Sequence, residues 1–589
     1  MTILYSKYKD ADPQQTVKTI KEHYASLQLN MEYSIEKHID GVYSAYLYDV
    51  DGRWNTAGKG TTEAFCLASA YGESMEHLCN HFAFDISKTS ERAKAYGGFC
   101  RYYDEIQLPI EAIEKVSPIV FRDMRSCCGT SNINNTEIIE IWKKVLQCNQ
   151  TPFIPYFNIS SRKTELLPDA VLSKLCGSNG GGSGNTPEEA IGHALDEAIE
   201  RYVKYKIVFN NLTPPTIPRE YIREQCPELH ETIKQIEAQG RFNIIVKDAS
   251  LGKGFSVVCI LVIDNQTQRY LTNFGAHPRF EIALERCLTE LFQDHECVDY
   301  LIDRADMTDW NTYESENSTN LSNWVSLLRD DIGSVPNSVF FRDASWEFAP
   351  WKIFDVYNNK IGVIHQLQIL KENGFDVFIR DNSILDFPVY KVYIPFLSLS
   401  HIIFDNRLAD EAIIVNHFFE YLSNDFPVDK KQTACDCAFS EDAFLLRMLL
   451  HNWNQELFDF LYATLLFDIH KPEKAVYLLK QTSFACATFL KRYIEMTLSG
   501  MDSKKKEALL YVFYGEKSIT WLKHLEAGNA FALLQEYCQH SGLLKKNDTD
   551  ANKAEWFKDE LYQKIKSASQ RTQIDQNRIS SLLESFDCT

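Results

Sequence analysis

GKGTTEAFCLASAYGESMEHL (58–78) and GSGNTPEEAIGHALDEAIERY (182–202) align without gaps. Gly58, Gly60, Thr62, Ala70, Glu73 and Glu76 fall on Gly182, Gly184, Thr186, Ala194, Glu197 and Glu200, always 124 positions apart. A fainter third copy, EIALERCLTELFQ (281–293), sets Ala283 on Ala190 and Glu290 on Glu197. Such internal echoes mark a repeated structural unit. In the first two copies glycines, then a Thr suited to N-capping, then a helical pattern predict a loop-to-helix transition, and the third copy is expected to follow them. Pro187 fits a first helical turn, and Glu188 and Glu189 suit its positive dipole end.

Each predicted helix carries an acidic row. Glu73 and Glu76 are three apart, and Arg286 and Glu290 four apart, so each pair shares a face. At about 100° per residue, Glu189 and Glu200 lie within about 20° of each other, with Glu197 on the same side. Charged residues usually mark a solvated face. Here, however, the glutamates stand among AFCLASAYG and AIGHAL with few lysines near them. Converging rows would repel strongly in a low dielectric unless cations sat between them. Carboxylates select hard ions, and magnesium bound by a few carboxylates usually brings phosphate with it, so a magnesium-nucleotide site is expected.

The rest of the chain sets the frame. GVYSAYLYDVDGRWNTAGKG (41–60) predicts a hairpin turning at Asp51-Gly52, followed by a long helix. RFNIIVKDASLGKGFSVVCILVIDNQTQRYLTNFGAH (241–277) reads as successive strands leading into a helix from about Phe280. The expected class is α+β with antiparallel strands, over residues 1–425 and with a loop-rich, polar insertion at 302–340. Near NDFPVDKKQTACD (424–436) the pattern breaks. Residues 435–589 read as helices, in segments such as FLLRMLLHNW and FLYATLLFDIHKPEKAVYLLK, which look like a tetratricopeptide-like interaction domain without a clean period.

Composition narrows the classes of function. With 589 residues, 45% of them apolar, the chain is long enough for several cores. A net charge of −20 disfavours nucleic acid and anionic membrane as partners. The start, MTILYSKYKDADPQQ, lacks signal-peptide features, and apolar runs such as VVCILVI are too short to span a bilayer, so a cytoplasmic location is expected. The 16 cysteines lie mostly singly in apolar runs; Cys127-Cys128, Cys435-x-Cys437 and His295-x-Cys297 lack the paired spacing of structural zinc. No Walker motif is present, since Lys59 is followed by Gly60 and the GKG at 252–254 also fails. The loop GSNGGGSGNT (177–186) could instead cradle phosphates with its backbone N–H groups.

GKGTTEAFCLASAYGESMEHL, SNGGGSGNTPEEAIGHALDEAIERYV, DASLGKGFSVVC (248–259) and FGAHPRFEIALERCLTELFQ together resemble the YcaO family. Length and layout are similar to stand-alone bacterial members with a tetratricopeptide-like C-terminal domain. The resemblance implies ATP bound with Mg2+. Carried over by motif position, Glu73, Glu76, Glu197 and Glu200 would hold metal, with Glu189 and Glu290 completing the metal and phosphate contacts. Arg201 and Arg286 would neutralise phosphate, Asn185 would stand in the phosphate loop, and Lys9 and Thr16 match a nucleotide-contacting N-terminal segment, Thr16 replacing the more usual Ser. His77 stands where the first motif commonly has Arg, so one ionic contact is expected to differ.

The family chemistry so implied begins when a Cys, Ser or Thr side chain or an external sulfide adds to a peptide backbone carbonyl. ATP phosphorylates the oxyanion, and loss of phosphate yields an azoline or a thioamide. Positioning and charge stabilisation govern phosphoryl transfer, so no protein nucleophile is required and no catalytic residue is assigned. Azoline-forming relatives often end in PxPxP, whereas this sequence ends ESFDCT, which favours the stand-alone subgroup. Expected partners are a peptide or protein substrate and a sulfur donor. An alternative is an accessory role beside a radical-SAM methylthiotransferase in ribosomal-protein methylthiolation, for which the helical region suits docking. The resemblance leaves a homodimer open.

Overall fold

A computed structural model describes residues 8–39, 41–49, 55–80, 102–127, 134–146, 148–238, 240–266, 270–290, 337–340, 343–354, 356–399, 455–540, 567, 574–576 and 578–584. Two compact units emerge, one drawn from 1–123, 149–402 and 554–589, the other from 124–148 and 403–553. The expected boundary at 424–436, the segment FLLRMLLHNW, the turn at Asp51-Gly52 and nearly all of the expected insertion at 302–340 lie outside the described residues. So do Cys128, His295, Cys297, Cys435 and Cys437.

The first unit mixes helices with antiparallel strands. Helix α1 (Pro13–Ser26) starts on Asp12, whose carboxylate accepts from Gln14 N, with Pro13 in the first turn. Strands β1 (Met31–Ile39), β2 (Val42–Asp49) and β3 (Asn55–Gly60) form a three-stranded antiparallel sheet, β2 and β3 being the expected hairpin. Helix α2 (Glu63–Cys79) follows and packs on it with α1, burying Ile20, Tyr24, Leu47, Ala70, Met75 and Leu78 in one core.

A larger sheet joins β4 (Ile106–Pro109), β5 (Gln150–Asn158), β6 (Lys163–Pro168), β7 (Gly181–Ser183), β11 (Phe378–Asp381) and β12 (Val389–Tyr393). Its spatial order is β4-β5-β11-β12-β7, with β6 paired to β5. The third sheet has the order β10-β9-β8, formed by β8 (Phe242–Asp248), β9 (Val257–Asp264) and β10 (Tyr270–Ala276). β9 is its central strand, which is why VVCILVI is an almost unbroken apolar run instead of an alternating one. Three further helices matter to the site: α3 (Pro187–Phe209), α4 (Phe280–Glu290) and α5 (Asn359–Glu372).

The echoed sequences are one repeated device, a strand turning into a helix, placed once in each sheet. β3 leads to α2, β7 to α3 and β10 to α4. The first glycine of each copy lies where strand backbone touches helix backbone. A Cβ on Gly58 would overlap Cys66 and Ala70, one on Gly182 would overlap Ala190 and Ala194, and one on Gly275 would overlap Ala283 and Cys287. These are corresponding positions of the three copies. Thr62 and Thr186 cap their helices alike, each accepting a hydrogen bond from the backbone N–H three residues on.

The described part of the second unit between residues 455 and 540 is helical throughout, as the sequence predicts. Helices Gln455–Asp468, Pro472–Leu478, Ala485–Leu498, Ser503–Tyr514, Lys517–Glu526 and Phe531–His540 pack on neighbours in sequence. Phe460, Leu461, Phe489, Leu490, Leu525 and Leu533 are buried there. The rings of Phe489 and Trp521 meet edge to face at 5.0 Å.

Candidate functional site

All eleven residues singled out from the sequence, Lys9, Thr16, Glu73, Glu76, Asn185, Glu189, Glu197, Glu200, Arg201, Arg286 and Glu290, line one cavity of about 600 Å³ in the first unit. The three repeats surround it, and the residue at one equivalent position in each repeat reaches across to another. Lys59 of the first pairs with Glu290 of the third. Ser183 Oγ of the second donates to Gly72 O of the first at 2.8 Å. Ala276 N of the third donates to Glu200 Oε2 of the second at 2.9 Å. The contacts close a ring, which explains how acidic rows far apart in sequence come to face a common space.

The N-terminal segment ties onto the start of α3. Lys9 Nζ lies 3.1 Å from Glu189 Oε1 and 2.9 Å from His193 Nε2. Glu189, with its side chain 2% exposed, also accepts from Asp10 N at 3.1 Å, from Asn185 N at 3.2 Å and from Asn185 Nδ2 at 3.0 Å. Thr16 Oγ1 donates to Asn185 Oδ1 at 2.7 Å, and the Thr186 hydroxyl bonds to Asp10. Glu189 therefore braces the phosphate-loop candidate, while Lys9, Thr16 and Asn185 form the adjoining wall. Burial lowers the Lys9 pKa against the pull of Glu189. His193 and His277 are held well below the usual imidazole range, first by burial and then by neighbouring cations.

The glutamates repel one another in two groups. Burial, then repulsion by Glu197 and Glu73, lifts the Glu76 carboxyl well above its ordinary range against Arg201 and Lys391. Burial, then repulsion by Glu290, raises Glu200 to about 7 against Arg286, Lys59 and Lys204. Glu197 accepts from Gly180 N at 3.0 Å and pairs with Arg201 at 2.9 Å. In the first repeat the corresponding pair is Glu73 and His77, 3.9 Å apart. Burial drops His77 to about 4, so it is neutral near pH 7 and the ionic contact differs as the sequence predicts.

Among the described residues no three His, Cys, Asp or Glu side chains gather closely enough to hold a metal ion by themselves. The donor chemistry nevertheless fits magnesium. Carboxylate oxygens around a polar cavity, with at least two carboxyls raised by burial and then by mutual repulsion, suit an ion that takes only a few protein ligands and fills its shell with water and phosphate. Lys9, Lys59, Arg201, Lys204 and Arg286 line the same space and suit an anionic ligand.

Sequence reading missed Lys59, Lys204 and His193, which line the cavity too. Lys59 carried a signal, standing between two aligned glycines. It also missed Asp196 and Gln366, whose partners lie far away in sequence. Asp196 lies 3.5 Å from Arg286, and Gln366 donates to Asp196 at 2.7 Å. No described helix is long and apolar enough to cross a membrane. Cys66, Cys79, Cys226, Cys259 and Cys287 are buried free thiols.

Residues 57–398 match the family described as YcaO cyclodehydratase, ATP- and Mg2+-binding. An uncharacterized protein of Haemophilus influenzae is 27% identical over 417 residues, covering 69% of this chain and 68% of that one. The ribosomal protein S12 methylthiotransferase accessory factor YcaO of Escherichia coli is 27% identical over 402 residues, covering 68% of this chain and 67% of its own length. Among solved structures, a heterocyclase in complex with substrate and cofactor is 16% identical with a TM-score of 0.46, and the match covers 66% of this chain and about half, 53%, of that one. YcaO from Methanopyrus kandleri, bound with AMPPCP and Mg2+, is 16% identical with a TM-score of 0.41, covering 66% and 91%. The family match spans more than half of the chain and contains the three repeats except for a few flanking residues, so this protein belongs to the YcaO family, which binds ATP and Mg2+.

Proposed function

We propose that this protein uses ATP with magnesium to activate a backbone amide of a peptide or protein, forming an azoline or a thioamide. The observation that carries this reading is the meeting of all eleven motif residues around one cavity. Glu73, Glu76, Glu197 and Glu200 hold magnesium, and Glu290 contributes from the third repeat. Magnesium bound there with the nucleotide neutralises phosphate charge. Arg201, Arg286 and Lys9 meet the phosphates from the cavity wall. Asn185 and Thr16 orient them by hydrogen bonds, and Glu189 keeps both in place. No side chain is assigned as a covalent nucleophile.

A second reading is supported by the name of the Escherichia coli relative, a methylthiotransferase accessory factor. In that case nucleotide binding regulates docking to a partner enzyme, and the helical unit supplies the docking surface.

Calorimetry with ATP, with and without Mg2+, followed by ADP measurement with candidate peptides, separates the two. Magnesium-dependent binding lost in the Glu197→Gln, Glu200→Gln double variant is expected. Binding that survives the double change sinks the site assignment. ADP formation stimulated by a peptide supports amide activation, and binding without turnover supports the accessory role.

A further inference from the structure

Arg286 lies among three carboxylates, Asp196, Glu200 and Glu290, all of which stabilise its charge against burial. Among the described residues only Asp196 is within ion-pair distance, at 3.5 Å from Nη1. Asp196 is 2% exposed and belongs to the second repeat, on the turn of α3 that carries Glu197 and Glu200. The corresponding positions of the first and third repeats hold Gly72 and Thr289, so the carboxylate is particular to this copy.

Gln366, on α5, holds Asp196 from behind. It is fully buried, and its Nε2 donates to Asp196 Oδ1 at 2.7 Å. Its Oε1 has no hydrogen-bond partner among the described residues. An unmatched buried acceptor is a cost that a hydrocarbon side chain would avoid. A packing role alone does not call for an amide here, whereas orienting a carboxylate does. α5 packs along α3, with Val363 Cγ2 3.7 Å from where a Cβ would stand on Gly192, so the glutamine is carried on a fixed element.

We propose that Asp196 and Gln366 are positioning residues that hold the Arg286 guanidinium away from Glu200 and Glu290, so that it does not join Lys59, which already pairs with Glu290, in competing with the cation for those carboxylates. The proposal rests on the magnesium-nucleotide reading above. A guanidinium released from Asp196 has two carboxylates on the cavity side to turn to, and pairing with either sets it in competition with Mg2+. Asp196 itself touches neither metal nor nucleotide; its effect passes through Arg286.

The test is the Mg2+ concentration that half-saturates binding of a non-hydrolysable ATP analogue, measured by calorimetry on the full chain. Asp196→Asn is expected to raise it about tenfold, and Gln366→Met to raise it about threefold. With Arg286→Met already present, adding Asp196→Asn should change it by less than about twofold, because the residue through which it acts is gone. A purely structural role predicts shifts that persist in the Arg286→Met background. An unchanged Mg2+ requirement in Asp196→Asn, or effects that simply add, overturns the proposal while the nucleotide reading stands. Absence of Mg2+-dependent binding by the wild type overturns both. Circular dichroism checks folding, and if Asp196→Asn does not fold, Gln366→Met alone and with Arg286→Met decides by the same criteria.

Discussion

Gly182 sets how closely β7 approaches α3, since any Cβ there runs into Ala190 and Ala194. Gly182→Ala should therefore destabilise the protein by about 1–3 kcal/mol through forced backbone displacement, read as a shift in denaturation midpoint. Equal stability would show that the strand can retreat without cost. A second residue gives a pH signature away from the cavity. Asp123 accepts from Tyr393 Oη at 2.6 Å and from Phe396 N at 3.1 Å, yet burial raises its carboxyl to about 6. Its folded pKa exceeds the unfolded value, so its stabilising contribution is complete below pH about 4 and is lost as pH rises through 6. Between those values wild-type unfolding free energy should fall relative to Asp123→Asn, by about 3 kcal/mol in all. Parallel curves for the two proteins would refute this. The motif glutamates could be read from sequence because they recur at fixed spacing on helices. Asp196 and Asp123 could not, because their charge environment comes from Gln366, Arg286, Tyr393 and Phe396, which are remote along the chain.

At the scale of elements, Thr62 and Thr186 perform the same capping task, but among the described residues only the Thr186 hydroxyl also reaches another segment, through Asp10. Thr62→Ala should cost about 1 kcal/mol, the usual worth of a cap. Thr186→Ala should cost more and also weaken nucleotide binding, because it loosens residues 8–16 over the cavity. Chemical denaturation and calorimetry on the two variants give the comparison, and equal losses would argue that the Asp10 contact is incidental. The β3-α2 and β7-α3 transitions were legible because glycine, cap and helical period are local signals, and β10-α4 was legible from its glycine and helical period. The sheet of β4, β5, β6, β7, β11 and β12 was not. Phe378 pairs with Asn158 and Tyr390 with Gly182, partners that no local pattern can nominate.

Across the whole first unit, remote segments are pinned by a few buried polar contacts. Arg380, 1% exposed, donates to Asp104 at 3.0 and 2.8 Å and to Pro155 O at 2.9 Å. Asp104→Ala leaves that guanidinium buried without its carboxylate and should cost about 3–5 kcal/mol, seen in the denaturation midpoint. Ligand linkage offers a global check on the site. ATP with Mg2+ at a hundred times its dissociation constant should stabilise the fold by about 2.7 kcal/mol, and EDTA should abolish the gain. Stabilisation that persists in EDTA would mean that magnesium is dispensable for binding. By itself the sequence determined the helices, their caps and glycines, the acidic rows and their family, because these depend on spacing within some twenty residues. Tertiary structure alone decided that the three repeats close a ring through Lys59, Ser183 and Ala276, that Glu189 is a brace, and that Arg286 rests on Asp196. Burial and electrostatic partnership are properties of space, and residues brought together from different sheets carry no mark of one another in sequence.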